Sequence, residues 1–222
     1  DSTDIKAAIN ALGASGNTPL AETMWEAHRY FAGLSPDYGT NSNRDSDAVS
    51  SGNYVSPVGG NDAVDCQSNY IVYLTDGNPY SDSGRDTQIS NLDGVGTCSH
   101  SDGASLAGNT CLDEMAGYMA DFDYNDQLTG VQPVKTYTIG FDIDMDLLEQ
   151  TAISGDGDYY TANNSTELRN AFNEIVRSIL SDSNTFVAPA VSVNAFNSLQ
   201  NLNEVYYALF EPNVNPRWYG NI

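Results

Sequence analysis

Apolar residues recur at helical spacing in five stretches of the chain. Ile5, Ile9 and Leu12 predict a short helix over residues 4–12. Leu20, Met24, Ala27 and Phe31 predict a second over 19–31. Leu112, Met115, Ala116 and Met119 share one face of a third over 111–122. Residues 145–154 suit a short fourth helix. Leu168, Phe172, Ile175, Val176 and Ile179 give the stripe of a fifth over 165–180. Between them lie short apolar runs, "YIVYL" (70–74) and "VKTYTIGF" (134–141), that suit strands buried on both faces. "GDYYTA" (157–162) suits a further strand. Strands alternating with helices predict an α/β fold, a doubly wound, Rossmann-like parallel sheet. Beyond Asp182 the pattern changes. "FVAPAVSVNAFN" and "EVYYALFEP" suit an antiparallel pair, and "RWYGNI" begins a third strand. The expected division is therefore residues 1–182 and residues 183–222. Segments 33–65 and 81–110 are polar and turn-rich, as long loops or insertions are.

Local signals refine the helix starts. Thr18 precedes Pro19, so Thr18 is expected to cap the second helix, with Glu22 in its first turn. Asn164 and Glu167 supply a variant capping box beside Ser165, which is expected to cap the fifth helix. "FDIDMD" lacks the Gly and the closing acid of a calcium loop, so Asp144 or Asp146 is expected to cap the fourth helix instead. His28 is expected on the exposed side of its helix.

Charge narrows the partners. Thirty acidic residues against eight basic ones give a net charge of −22. Such a surface repels phosphate backbones, which argues against nucleic acid, and favours divalent cations and cationic partners. Fourteen Tyr, seven Phe and two Trp are enough for a packed core. No apolar run is long enough to span a membrane. The three cysteines, Cys66, Cys98 and Cys111, form no CxxC pair and allow three single pairings. Cys98 and Cys111 could clip the Gly- and Ser-rich segment 94–110 as a disulfide. Loop cysteines with many Asn and Tyr and few Lys point to secretion. No GxSxG, HExxH or P-loop motif occurs, and His28 and His100 have no catalytic partner pattern. Nothing in the sequence marks an enzyme.

The candidate chemistry lies at the end of the 70–74 strand. "LTDG" puts Asp76 at the carboxyl edge of a parallel sheet, where open α/β folds bind ligands. Thr18 starts the helix expected at that same edge. A hydroxyl and a carboxylate suit a hard divalent ion, which takes oxygen ligands. "SGNTPLAETMWEA", "NYIVYLTDGNP" and "VKTYTIGF" together resemble the later signatures of a von Willebrand factor A domain. That resemblance implies a metal-ion-dependent adhesion site with Thr18 as a direct ligand. It implies that Asp76 binds directly or through a water, with Mg or Ca as the ion. From "CQSNYIVYLTDGNPYSD" through "FVAPAVSVNAFNSLQNLNEVYYALFEP" to "RWYGNI", the chain is similar to the PilC/PilY-type tip proteins of type IV pili. In those an A domain precedes a C-terminal β-propeller. The resemblance implies an extracellular adhesion or pilus-biogenesis role at the bacterial surface. Its implied partners are minor pilin subunits and a host or surface ligand.

One motif of the family is missing. Asp-x-Ser-x-Ser after the first strand should supply an Asp and two hydroxyls, and "DSTDI" does not fit it. The expectation is an A domain without its first strand, with the remaining ligands upstream of residue 1. Residues 183–222 would then be the first strands of a propeller-like domain. The edge of the 70–74 strand would be left open for an upstream segment or a second polypeptide that completes the sheet.

Overall fold

The computed structural model describes residues 6–7, 10–11, 16–39, 46–59, 68–98, 100–101, 109–182, 186–193, 201–211 and 219–221. Residues 6–7 and 10–11 are helical. The rest of the helix expected over 4–12 lies outside the described residues. The chain divides into two compact units, Asp1–Ala171 and Phe172–Ile222.

In the first unit, α1 (Leu20–Phe31) comes first. A small antiparallel hairpin follows, β1 (Val49–Ser50) and β2 (Asn53–Tyr54). Ser51 and Gly52 carry positive φ at its turn. Then come β3 (Asn69–Thr75), α2 (Asp86–Ser90), and the short pair β4 (His100–Ser101) and β5 (Asn109–Thr110). They are followed by α3 (Leu112–Asp121), β6 (Val134–Phe141), α4 (Asp146–Ser154) and β7 (Tyr159–Ala162). The last helix, α5 (Ser165–Asp182), runs across the division between the units.

The main sheet has the order β3-β6-β7 and is parallel throughout. Tyr70 pairs with Lys135 and Thr75 with Gly140; Thr138 pairs with Tyr159. Each link between neighbours includes a helix, as parallel strands require. The fold is thus mixed α/β, a three-stranded parallel sheet flanked by helices.

The predicted stripe of α3 is fully realised, since Leu112, Met115, Ala116 and Met119 are all buried. They share one core with Leu20, Met24, Phe31, Ile89 and Leu148. β6 is covered on both faces, with Thr136 through Ile139 buried. β3 departs from expectation. Its burial alternates, so Tyr73 and Thr75 are buried while Val72 and Leu74 are 37% and 46% exposed. The physical reason is position. Among the described residues β3 pairs on one side only, an edge strand, and little packs over the face that carries Val72 and Leu74.

Several helix starts also differ from expectation. Neither Asp144 nor Asp146 caps α4; Asp144 instead accepts a hydrogen bond from the Tyr159 hydroxyl at 2.9 Å. Asn164, rather than Ser165, caps α5, its Oδ1 accepting from Thr166 N and Glu167 N, both at 3.0 Å. Glu167 reaches back to accept from Asn163 N at 2.7 Å, which closes the variant capping box. On α5, Phe172 and Val176 are exposed, so only part of the predicted stripe is buried.

Cys98 and Cys111 are joined in a disulfide 13 residues apart in sequence, and both are buried. Cys66 lies outside the described residues. Closing a loop of this length removes unfolded-state entropy worth about 3 kcal/mol. The Cys98→Ser/Cys111→Ser variant is expected to lose about that much, read from the urea midpoint of unfolding. An unchanged midpoint would contradict this.

The second unit holds β8 (Phe186–Val193), β9 (Asn201–Glu211) and β10 (Tyr219–Asn221) in an antiparallel sheet ordered β10-β9-β8. Phe186 pairs with Phe210, and the register shifts between Val191 and Val193. Pro189 sits in the edge strand β8, where a missing N–H is tolerated.

Candidate functional site

Thr18 and Asp76 are brought together. They lie 58 positions apart in sequence, yet both line one groove of about 650 Å3 beside β3. Val72 and Leu74 contribute one wall; Leu20, Phe141 and Leu168 contribute others. The groove therefore places Thr18 and Asp76 among apolar side chains beside β3.

The Thr-Asp-Gly turn is held by its own first residue. The buried Thr75 hydroxyl donates to Gly77 O at 3.1 Å and accepts from Gly77 N at 3.3 Å. Asp76 projects to solvent at the end of the strand. Thr18 stands beside this turn: a Cβ placed on Gly77 would sit 3.9 Å from Thr18 Oγ1. The backbone fixes the same approach. Tyr80 N donates to Thr18 O at 3.0 Å in an isolated antiparallel bridge.

Thr18 does not cap α1. No side chain at the cap position bonds to the helix, whose N-cap residue is Pro19. The Thr18 carbonyl is engaged by Leu20 N and Tyr80 N, both at 3.0 Å. Capping falls to a distant residue. Asp82 Oδ1 accepts from Ala21 N at 2.6 Å, and its Oδ2 accepts from Thr110 Oγ1 at 2.9 Å. Because Thr18 is released from capping, its hydroxyl remains available beside Asp76. Tyr73 reinforces the join by donating from its hydroxyl to Leu20 O at 2.8 Å.

The cap carries a second acid. The Asp82 carboxyl lies within hydrogen-bond reach of Glu22, whose Oε1 accepts from Gly84 N. Glu22 is 5% exposed, and its Oε2 is buried without a donor among the described residues. Two carboxyls this close disfavour ionisation of Asp82. Burial first, and Glu22 second, push Asp82 up to about 8. The folded state therefore binds a proton that the unfolded chain releases near pH 3.8. Stability from this group is complete below that value and is lost as pH rises through about 8. His28 acts in the opposite sense, so the comparison is between proteins. Wild type is expected to lose more melting temperature than Asp82→Asn as pH is raised from about 5 to about 8. Parallel pH profiles for the two proteins would contradict a raised Asp82 carboxyl.

His28 is buried, contrary to its expected exposure, at 4%. Its ring lies 5.4–5.7 Å from those of Trp25, Tyr118, Phe122 and Tyr124, and Nδ1 is 2.9 Å from the Tyr124 hydroxyl. Burial, and then the charge of Arg29, depress it to about 4, so it is a neutral core side chain at pH 7. The signal was present in the spacing, because Met24, His28 and Phe31 fall at i, i+4 and i+7.

The two polar segments are tied down near α1. Glu26 accepts from the backbone N–H groups of Asp37, Tyr38 and Gly39 and from the Tyr54 hydroxyl. Asp37 then pairs with Arg85 through two bonds of 2.6 and 2.7 Å. Segment 33–39 is thereby linked to segment 81–86.

No family model matches this chain, and no curated protein or solved structure is significantly similar to it.

Among the described residues, no three His, Cys, Asp or Glu side chains are grouped to hold a metal ion. Of the hydroxyls lining the groove, those of Thr23, Tyr73 and Thr75 are engaged by backbone groups, and Asp76 is its carboxylate. A hard divalent ion takes six or more oxygens. Thr18 and Asp76 fit such an ion as part of a larger ligand set, with water or groups from another segment filling the rest. No described helix is long and apolar enough to cross a membrane.

Proposed function

We propose that this chain is the later part of a von Willebrand factor A-type adhesion domain, joined to the opening strands of a β-propeller-like domain. In this reading it belongs to an extracellular, PilC/PilY-type tip protein of type IV pili and is not an enzyme. Thr18 and Asp76 would hold Mg or Ca. The ion would leave a coordination position for an acidic group on a minor pilin, host or surface ligand. The observation that carries the reading is that Thr18 and Asp76 share one groove beside the open edge of β3. A hydroxyl freed from helix capping beside an exposed carboxylate is what an oxygen-ligated cation uses.

Calorimetric titration of the chain with Mg and Ca tests it. Saturable binding is expected, with a Kd on the order of 10⁻³ M, the weak end for extracellular calcium modules. No saturable heat with either ion would sink the reading.

A second reading rests on the exposed Val72 and Leu74 of β3. They favour an assembly element of an extracellular filament, in which a strand from an upstream segment or second polypeptide completes the sheet and no metal works. It predicts that Val72→Lys blocks association of that strand while chelation leaves association intact.

A further inference from the structure

Thr18 and Asp76 lie on separate loops, so their spacing depends on how those loops are joined. Hydrogen bonds fasten the segment that leaves Asp76 to the segment that leaves Thr18. Tyr80 N donates to Thr18 O at 3.0 Å, Ala21 N donates to Asp82 Oδ1 at 2.6 Å, and Gly84 N donates to Glu22 Oε1. Every second residue from 80 to 84 is thereby tied to the start of α1.

The middle bond has an anchor of its own. Asp82 Oδ2 accepts from Thr110 Oγ1 at 2.9 Å, and both residues are buried. Thr110 ends β5 and adjoins Cys111, which the disulfide to Cys98 holds. The Asp82 carboxyl therefore joins the loop after Asp76, the start of α1 and the disulfide-closed segment. Ala21 is three residues from Thr18, and the Thr18 carbonyl is the one that Tyr80 engages. Fixing Ala21 from one side and Tyr80 from the other sets where the Thr18 hydroxyl stands relative to the Asp76 turn.

Ligands bind an ion well when they are held in place before it arrives, and the groups that hold them are part of the site. We infer that Asp82 is a positioning residue for the Thr18–Asp76 cation site, acting through Ala21 and the Thr18–Tyr80 bridge. This rests on the cation reading proposed above. A plain helix cap would support α1 alone, and its loss would lower stability without a matching loss of ion affinity.

The test is calorimetric titration of the full chain with Mg and Ca at pH 7, together with amide hydrogen exchange of the ion-free chain. Asp82→Ala removes both acceptors and is expected to weaken binding about 10-fold. Asp82→Asn keeps an oxygen for Ala21 N and is expected to restore affinity to within about 2-fold of wild type. Without ion, the Tyr80 amide is expected to exchange about 10-fold faster in Asp82→Ala than in Asp82→Asn. Ile175→Val, which trims a buried side chain of α5, controls for lost stability and is expected to bind as wild type does. If Asp82→Ala fails to fold by circular dichroism, Thr110→Val removes only the anchoring donor and is expected to weaken binding about 5-fold. Wild-type affinity in the folded variant, or an equal loss in Ile175→Val or Asp82→Asn, would overturn the inference and leave the cation reading standing. No saturable binding by the wild type would overturn both.

Discussion

Gly157→Val is expected to destabilise the parallel sheet severely. Gly157 lies between α4 and β7, in a turn bonded along β6 by Thr136 N donating to Gly155 O at 2.8 Å and Thr138 N donating to Asp158 O at 3.1 Å. A Cβ there would overlap the Thr136 carbonyl oxygen and sit 2.8 Å from its carbon and 3.2 Å from Tyr137 N. Those are backbone atoms of the middle strand, so no side chain can rotate away. Gly155 is equally confined, its Cβ falling 2.6 Å from Thr136 Cβ. Overpacking against fixed backbone costs about 3 kcal/mol or more, a large part of the stability of an ordinary domain. Insoluble protein, or a urea midpoint lowered by that amount, is the expected outcome. Gly117→Ala serves as the contrast. Its Cβ would make ordinary contact, 3.5 Å from Ser154 Cβ, inside α3. It is expected to raise stability by up to about 1 kcal/mol through helix propensity. A Gly157→Val protein as stable as wild type would show that the turn between α4 and β7 does not approach β6 this closely.

The second large effect is on cation binding. Asp76→Ala removes the only carboxylate of the proposed pair, and Thr18→Ala removes the neighbouring hydroxyl. Loss of outer-shell partners alone weakens metal sites about 10–100-fold, so the double variant is expected to lose at least that much affinity for Mg or Ca. Its fold should survive. Asp76 is exposed, and the Thr18 contacts that shape the loop are made by its backbone carbonyl. The α1 cap belongs to Asp82 and is untouched. Unaltered affinity in a folded double variant would remove both residues from the site.

Much of the first unit was legible from spacing. Leu112, Met115, Ala116 and Met119 announced α3, and "VKTYTIGF" gave the bounds of β6. The antiparallel pairing of β8 with β9 was likewise readable from two β-rich runs. What was not legible depends on neighbours in space. The apolar run of β3 reads as doubly buried, but burial requires a layer packed over each face, and local composition cannot report that. Thr18 before Pro19 reads as a cap. The competing donor and acceptor pairs lie in Tyr80 and Asp82, more than 60 residues away, and only the fold brings them in. The groove itself was half legible. Thr18 and Asp76 could be placed at one sheet edge by topology, whereas the apolar lining from Phe141 and Leu168 could not. The acid pair Glu22–Asp82 gave no sequence signal, because thirty acidic residues offer too many equivalent candidates.

The most direct test of the central claim is to locate a bound ion. Amide spectra of the full 15N-labelled chain would be followed by NMR while Mn is added, since its paramagnetism broadens only nearby resonances. Broadening that begins at Thr18, Asp76 and Gly77 is the predicted result. Broadening that leaves those three untouched while other residues vanish, or none at all, would contradict a cation site at the edge of β3.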